Sequence, residues 1–110
     1  MESSEKRRHP RIGLSAAAVL VAMGDGGYLT AVEDVSAGGA RLSRPPIWPE
    51  NAQATAKLYF IFDQDTVIAL RARLVRAGSD HLGFLFEEGQ HALVEELLYE
   101  SRFLVQARVG

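Results

Sequence analysis

With 110 residues, 47% apolar and 24% charged, the chain is long enough for one domain with one hydrophobic core and too short for two. A formal net charge of −2 argues against general nucleic-acid binding, which calls for a domain basic overall, and the lack of cysteine excludes disulfides, thiolate metal sites and cysteine catalysis. No apolar run approaches bilayer-crossing length, and Met1 to Arg11 is polar where a secretory leader carries an apolar stretch, so a cytoplasmic protein without membrane insertion is expected.

In chain order, residues 1–11 show no apolar periodicity and read as a flexible basic arm, with Lys6, Arg7, Arg8 and Arg11 crowded together. The small aliphatic run from Ile12 to Met23 predicts a strand, Gly24-Asp25-Gly26-Gly27 a turn, and Tyr28 to Ser36 the second strand of a hairpin. Glu33 shares a strand face with Val35, and Val32 shares one with Asp34. Strict alternation fails there, which predicts a bulge or a strand end. Ala40-Arg41-Leu42, after Gly38-Gly39, is a short third strand. Arg44 to Asn51 contains Pro45, Pro46 and Pro49, so it reads as a loop with Ile47 and Trp48 folding back onto the body.

Ala54 to Phe62 and Thr66 to Arg76 flank Asp63-Gln64-Asp65 as a second hairpin. Alternation puts Ile68, Leu70, Ala72 and Leu74 inward and Arg71 and Arg73 outward. Gly78-Ser79-Asp80 makes a turn before a last strand, His81 to Phe86. Residues 12–88 thus predict a small barrel whose closure removes exposed edges. Residues 89–110 switch to helical spacing. Leu93, Val94, Leu97, Leu98, Leu104 and Val105 form the apolar stripe, Glu95, Glu96 and Glu100 the opposite side, and Glu87 and Glu88 lie near the positive end. Such a stripe must be covered, by the barrel or, alternatively, by a second copy in a homodimer.

Two segments carry candidate chemistry. In Arg7-Arg8-His9-Pro10-Arg11, the proline disfavours a helix, and an extended chain sets Arg7 and Arg11 on one side, at most roughly 13 Å apart. The planar guanidinium bonds phosphate oxygens, or the O6/N7 edge of guanine, in bidentate fashion. In Asp34-Val35-Ser36-Ala37-Gly38-Gly39, Asp34 and Ser36 point the same way on a strand and offer a carboxylate beside a hydroxyl. A carboxylate accepts from the N1–H and N2–H edge of guanine. Gly39, without a Cβ, admits the close approach of a ligand or another backbone. Taken alone, each segment has a plain alternative: a solvated basic tail, and a strand end entering a glycine turn.

Together, Arg-x-x-x-Arg followed by Asp-x-Ser-x-x-Gly resembles the signature of the PilZ domain family, receptors for the bacterial second messenger cyclic di-GMP. Leu42 and Leu82-Gly83-Phe84-Leu85-Phe86 also look like that family. The resemblance spans about Lys6 to Phe86. It implies an all-β fold, a six-stranded antiparallel split β-barrel, with a C-terminal α-helix. It further implies that Arg7, Arg8 and Arg11 contact phosphates and guanine, that Asp34 and Ser36 read a guanine edge, and that Gly39 keeps the surface open. Lys6 occupies a position that in the family affects whether one or two ligand molecules are held.

No nucleophile with a partner and no acid–base pair is visible, so an enzyme is not expected, nor any cofactor beyond the ligand itself. His9, His81 and His91 lack metal-ligand spacing, and Gly24-Asp25-Gly26-Gly27 lacks the Lys-Ser/Thr and helix of a phosphate loop. The leading expectation is a binding module that passes second-messenger level to a downstream protein partner as its arm gains order. The alternative is a PilZ-fold protein-interaction domain that binds no nucleotide.

Overall fold

The structure, a computed structural model, describes residues 17–24, 26–49 and 54–109, with residues 103–109 as helical backbone. Six strands, β1 (Ala18–Met23), β2 (Gly26–Val35), β3 (Gly39–Ser43), β4 (Thr55–Asp63), β5 (Thr66–Ala77) and β6 (His81–Phe86), precede one helix, α1 (His91–Val109). The strands close into a barrel in the order β1-β2-β3-β6-β5-β4, every pair antiparallel. The six-stranded barrel with a C-terminal helix is therefore present. Of the first predicted strand, Ile12 to Ala16 lies outside the described residues, as do the 1–11 arm, Asp25 of the glycine turn, and Glu50 and Asn51 of the proline loop.

Period-two alternation builds the interior. Val19 and Val21, Leu58 and Phe60, Ile68, Leu70 and Ala72, and Leu82 and Phe84 are buried in one cluster, with Leu42 from β3. Arg71 and Arg73 face out. The β1–β2 turn is tighter than the four-residue glycine run suggests, because Met23 already pairs with Gly26. Gly24 sits at φ +51°, a left-handed position that glycine takes without a Cβ clash. The irregularity expected near Glu33 is a bulge: Val32 pairs with Leu42, but Asp34 pairs with Arg41. A second bulge between Leu74 and Arg76 turns Val75 outward.

The proline loop corrects one expectation. Trp48 does fold back, buried and edge-on to Tyr28 with ring centroids 5.1 Å apart, but Ile47 is 80% exposed. In an irregular segment neighbouring side chains diverge, and the indole takes the space beside Tyr28. The segment is tied down by Arg44. Its backbone N–H donates to the Asp80 carbonyl (3.0 Å) and its guanidinium to the Gly78 carbonyl (2.8 Å), joining the end of β3 to the β5–β6 turn. In that turn, a hydrogen bond from the His81 ring (3.0 Å) holds the Asp80 carboxyl below its usual range.

The helix docks on β5, and Val94 and Leu97 join the barrel core. Its buried set differs from expectation. Leu93 is 39% exposed, whereas Glu100, expected on the outer face, is fully buried, with Ser101 buried beside it. The buried line through residues 94, 97 and 100–101 keeps the face of the apolar stripe, and Glu100 lies on that face because it stands three and seven residues after Leu97 and Leu93. Gln90, just before α1, is buried and ties the helix entry to β5. Its side-chain oxygen accepts the Arg71 N–H (2.7 Å), and its nitrogen donates to the carbonyls of Arg71 (2.9 Å) and Glu87 (2.8 Å). A side-chain amide thereby extends the β5 ladder and pins the entry of the helix. The side chains of Leu104 and Val105 lie outside the described residues. Among the described residues, no helix is long and apolar enough to cross a membrane.

Candidate functional site

The Asp34-x-Ser36 segment lies where β2 leaves its bulge and turns into β3. Because the bulge absorbs Glu33, Asp34 faces solvent, Val35 packs against the core and Ser36 is exposed again. A carboxylate and a hydroxyl are thus displayed together, as the sequence spacing required. The turn is closed by the Ser36 N–H donating to the Gly39 carbonyl (2.9 Å). The Ser36 hydroxyl itself makes only long contacts, 3.4 Å from the Gly38 N–H and 3.5 Å from the Gly39 carbonyl, so it has capacity for another partner. Around Gly38 the surface is open, with nothing within 4 Å of where a Cβ would stand.

Gly39 is buried, and a Cβ built on it would meet the Phe84 carbonyl oxygen of β6 at 2.1 Å. Of the two approaches that a missing Cβ allows, the one present here is that of another backbone. The β3–β6 ladder, with Gly39 opposite Leu85, needs that space.

The register places further charges beside Asp34 that sequence reasoning did not single out. Asp34 pairs with Arg41, Arg41 with Gly83, and Gly83 with Arg76. This outer row holds one carboxylate and two guanidinium groups, with a side-chain-free gap between the arginines. Arg41 reaches Glu33 at 3.2 Å, and Glu33 also accepts the Ser43 hydroxyl at 3.1 Å. An exposed pair of this kind is weak, about 0–1 kcal/mol, so Arg41 can exchange its carboxylate for a phosphate at little cost. The signal in the sequence was the alternation of Ala40-Arg41-Leu42, but pairing it with Arg76 requires the register. On the other side of the turn, a hollow lined by Phe86, Val94 and Leu98 is rimmed by Glu87, Glu88 and Glu95, which repel phosphate.

Arg7, Arg8 and Arg11, with Lys6, lie outside the described residues. Ala17, six residues after Arg11, is held next to β2: its carbonyl accepts the Val32 N–H (3.0 Å), two residues from Asp34. Six residues of extended chain reach at most about 20 Å, so Arg11 and then Arg7 can be brought to the Asp34 face. Among the described residues, no group of three or more His, Asp or Glu is arranged to hold a metal ion.

Three comparisons bear on this geometry. A search of curated proteins finds no match. Among solved structures, the PilZ domain of CeSA from a cellulose-synthesizing bacterium superposes with a TM-score of 0.65 at 25% identity, covering 79% of this chain and 93% of that one. The family model for the PilZ domain matches residues 5–100, a stretch holding the arginine segment, the Asp34 turn, all six strands and the first half of the helix. Motif, barrel and match agree, and the chain belongs to the PilZ domain family.

Proposed function

We propose that this PilZ domain is a receptor for cyclic di-GMP and that it acts by binding and relay, without catalysis. The observation that carries the reading is the joint display of Asp34 and Ser36 near Ala17, six residues after Arg11 in the chain. Asp34 accepts the N1–H and N2–H donors of one guanine, and Ser36 bonds the same edge or the adjoining phosphate. Arg7 and Arg11 close over the ligand from the arm, assisted by Arg8, and take phosphate oxygens or the O6/N7 edge of guanine. Arg41 adds positive charge on the barrel side. Gly39 contributes through the turn it allows. The ligand thereby joins arm to barrel, and the surface so formed is what a downstream protein partner reads.

Isothermal titration with cyclic di-GMP, cyclic di-AMP and GMP tests this. Adenine lacks the N1–H and N2–H donors, and a charge-assisted hydrogen bond is worth roughly 1.5–3 kcal/mol, so cyclic di-GMP binds at least about tenfold more tightly than cyclic di-AMP. Equal affinity for the two removes the role given to Asp34 and Ser36. No heat with any of them leaves a protein-interaction domain of the same fold.

A further inference from the structure

One panel of the barrel's outer surface spans four strands without a charge. The registers of β2, β1, β4 and β5 align Leu29, Leu20, Tyr59 and Ala69 in one row and Ala31, Ala18, Ile61 and Val67 in the next. None of these eight positions is charged, and Leu29 and Val67 are 63% and 51% exposed. The adjoining row carries Lys57 with Arg71, and on β2 the panel ends at the bulge that leads to Asp34. Lys57 marks the rim, its ammonium 5.6 Å from the centroid of the Tyr59 ring.

We infer that two copies of this chain associate through this panel, β1 and β4 of one against β1 and β4 of the other. A closed barrel offers no free edge to pair, so contact has to be face to face. The occupant is a second copy because the panel is complementary to itself. A two-fold axis parallel to the strands, running between β1 and β4, reverses the strand order in the facing copy. Leu29 then stands over Ala69 of the second copy, Val67 over Ala31, and Ile61 over Ala18, large against small in each case. Leu20 and Tyr59 meet at the centre. The two most exposed side chains stand on the outer strands, where they span the gap that barrel curvature opens.

The panel also sets the strength. Strand spacing and residue rise give each position about 33 Å² of sheet, so eight positions cover roughly 260 Å² per copy. This is well below the ~800 Å² per partner of stable complexes, which places the association among weak, reversible ones.

Sedimentation velocity of the ligand-free protein from about 10 to 500 μM tests the proposal. The sedimentation coefficient rises with concentration for the wild type. Leu29→Glu and Val67→Glu, both on exposed side chains, weaken the association at least tenfold without changing the melting temperature. Leu93→Glu, on the exposed side of α1, leaves it unchanged. The doubly substituted Leu29→Ala/Ala69→Leu chain, which exchanges large for small across the axis, associates like the wild type, while Ala69→Leu alone is weakened. A wild type that stays monomeric throughout, or an association abolished by Leu93→Glu and untouched by Leu29→Glu, overturns the assignment.

Discussion

Asp34 and Gly39 belong to one short motif but perform separable tasks, and substitution distinguishes them. A methyl group at residue 39 would lie 2.1 Å from the Phe84 carbonyl oxygen, a backbone atom held in the β3–β6 ladder that cannot step aside. Gly39→Ala therefore destabilises the free domain by at least the roughly 1–3 kcal/mol typical of overpacking, seen as a lower melting temperature with no ligand present. Asp34 is exposed. Asp34→Ala accordingly leaves free-domain stability within about 0.5 kcal/mol while cyclic di-GMP affinity falls tenfold or more, read by the same melting and calorimetric experiments. A stable Gly39→Ala chain contradicts the packing account, and an Asp34→Ala chain of normal affinity contradicts the guanine-reading one. Gln90 carries weight at the same scale. Gln90→Ala removes three hydrogen bonds at a buried position and takes the side-chain acceptor from the Arg71 N–H, while the Arg71 carbonyl keeps the Glu87 N–H, at a cost of about 1–3 kcal/mol in denaturant unfolding.

At the scale of elements, the helix is part of the barrel's core rather than an appendage. Val94 and Leu97 are buried in the same cluster as Leu70 and Phe84. At about 1.5–3 kcal/mol for each fully buried aliphatic side chain, removing the helix costs several kcal/mol, most of what a domain of this size has to spare. Truncation after Glu88 thus gives a chain that melts far lower or fails to fold, whereas loss of a solvent-facing helix would leave the melting temperature where it was. The strands and this helix were legible in the sequence because their periods are local. Ile68, Leu70 and Ala72 announce a face two residues at a time, and the bulge showed itself where Glu33 broke the count. Which residues of the helix face are covered was only partly legible. Hydropathy counts Leu93 as core and Glu100 as surface, yet the two are seven residues apart on one face of the helix, so which of them is covered depends on what packs along the helix and not on its phase. Ile47 misled for a related reason, since hydrophobicity in a proline-rich loop has no period to say which side chain turns inward. Of the candidate site, the shared exposure of Asp34 and Ser36 was readable from their spacing. Arg41 and Arg76 become neighbours of Asp34 only through strand pairings distant in sequence, and the reason for Gly39 lies on β6.

For the whole molecule, the consequence of the proposed function is that ligand couples the arginine segment to the barrel. Residues 1–11 offer no apolar face to bury, and Lys6, Arg7, Arg8 and Arg11 repel one another, so ordering them requires an opposing charge. A dianionic ligand on the Asp34 face supplies it. Ordering residues 5–11 costs roughly 1–2 kcal/mol each, offset only if most of the charge-assisted hydrogen bonds form together. The coupling is consequently steep. Arg7→Ala or Arg11→Ala nearly abolishes cyclic di-GMP binding and leaves the melting temperature of the free domain unchanged. Arg102→Ala, whose guanidinium lies over the Tyr99 ring on the helix, changes binding not at all. Amide exchange reports the same event directly: residues 5–11 exchange fast without ligand and are protected with it, while β2 and β5 are protected in both. An arm already protected without ligand, or an Arg7→Ala chain that binds normally, would place the switch elsewhere on the barrel, with the Arg41–Arg76 row the next surface to substitute.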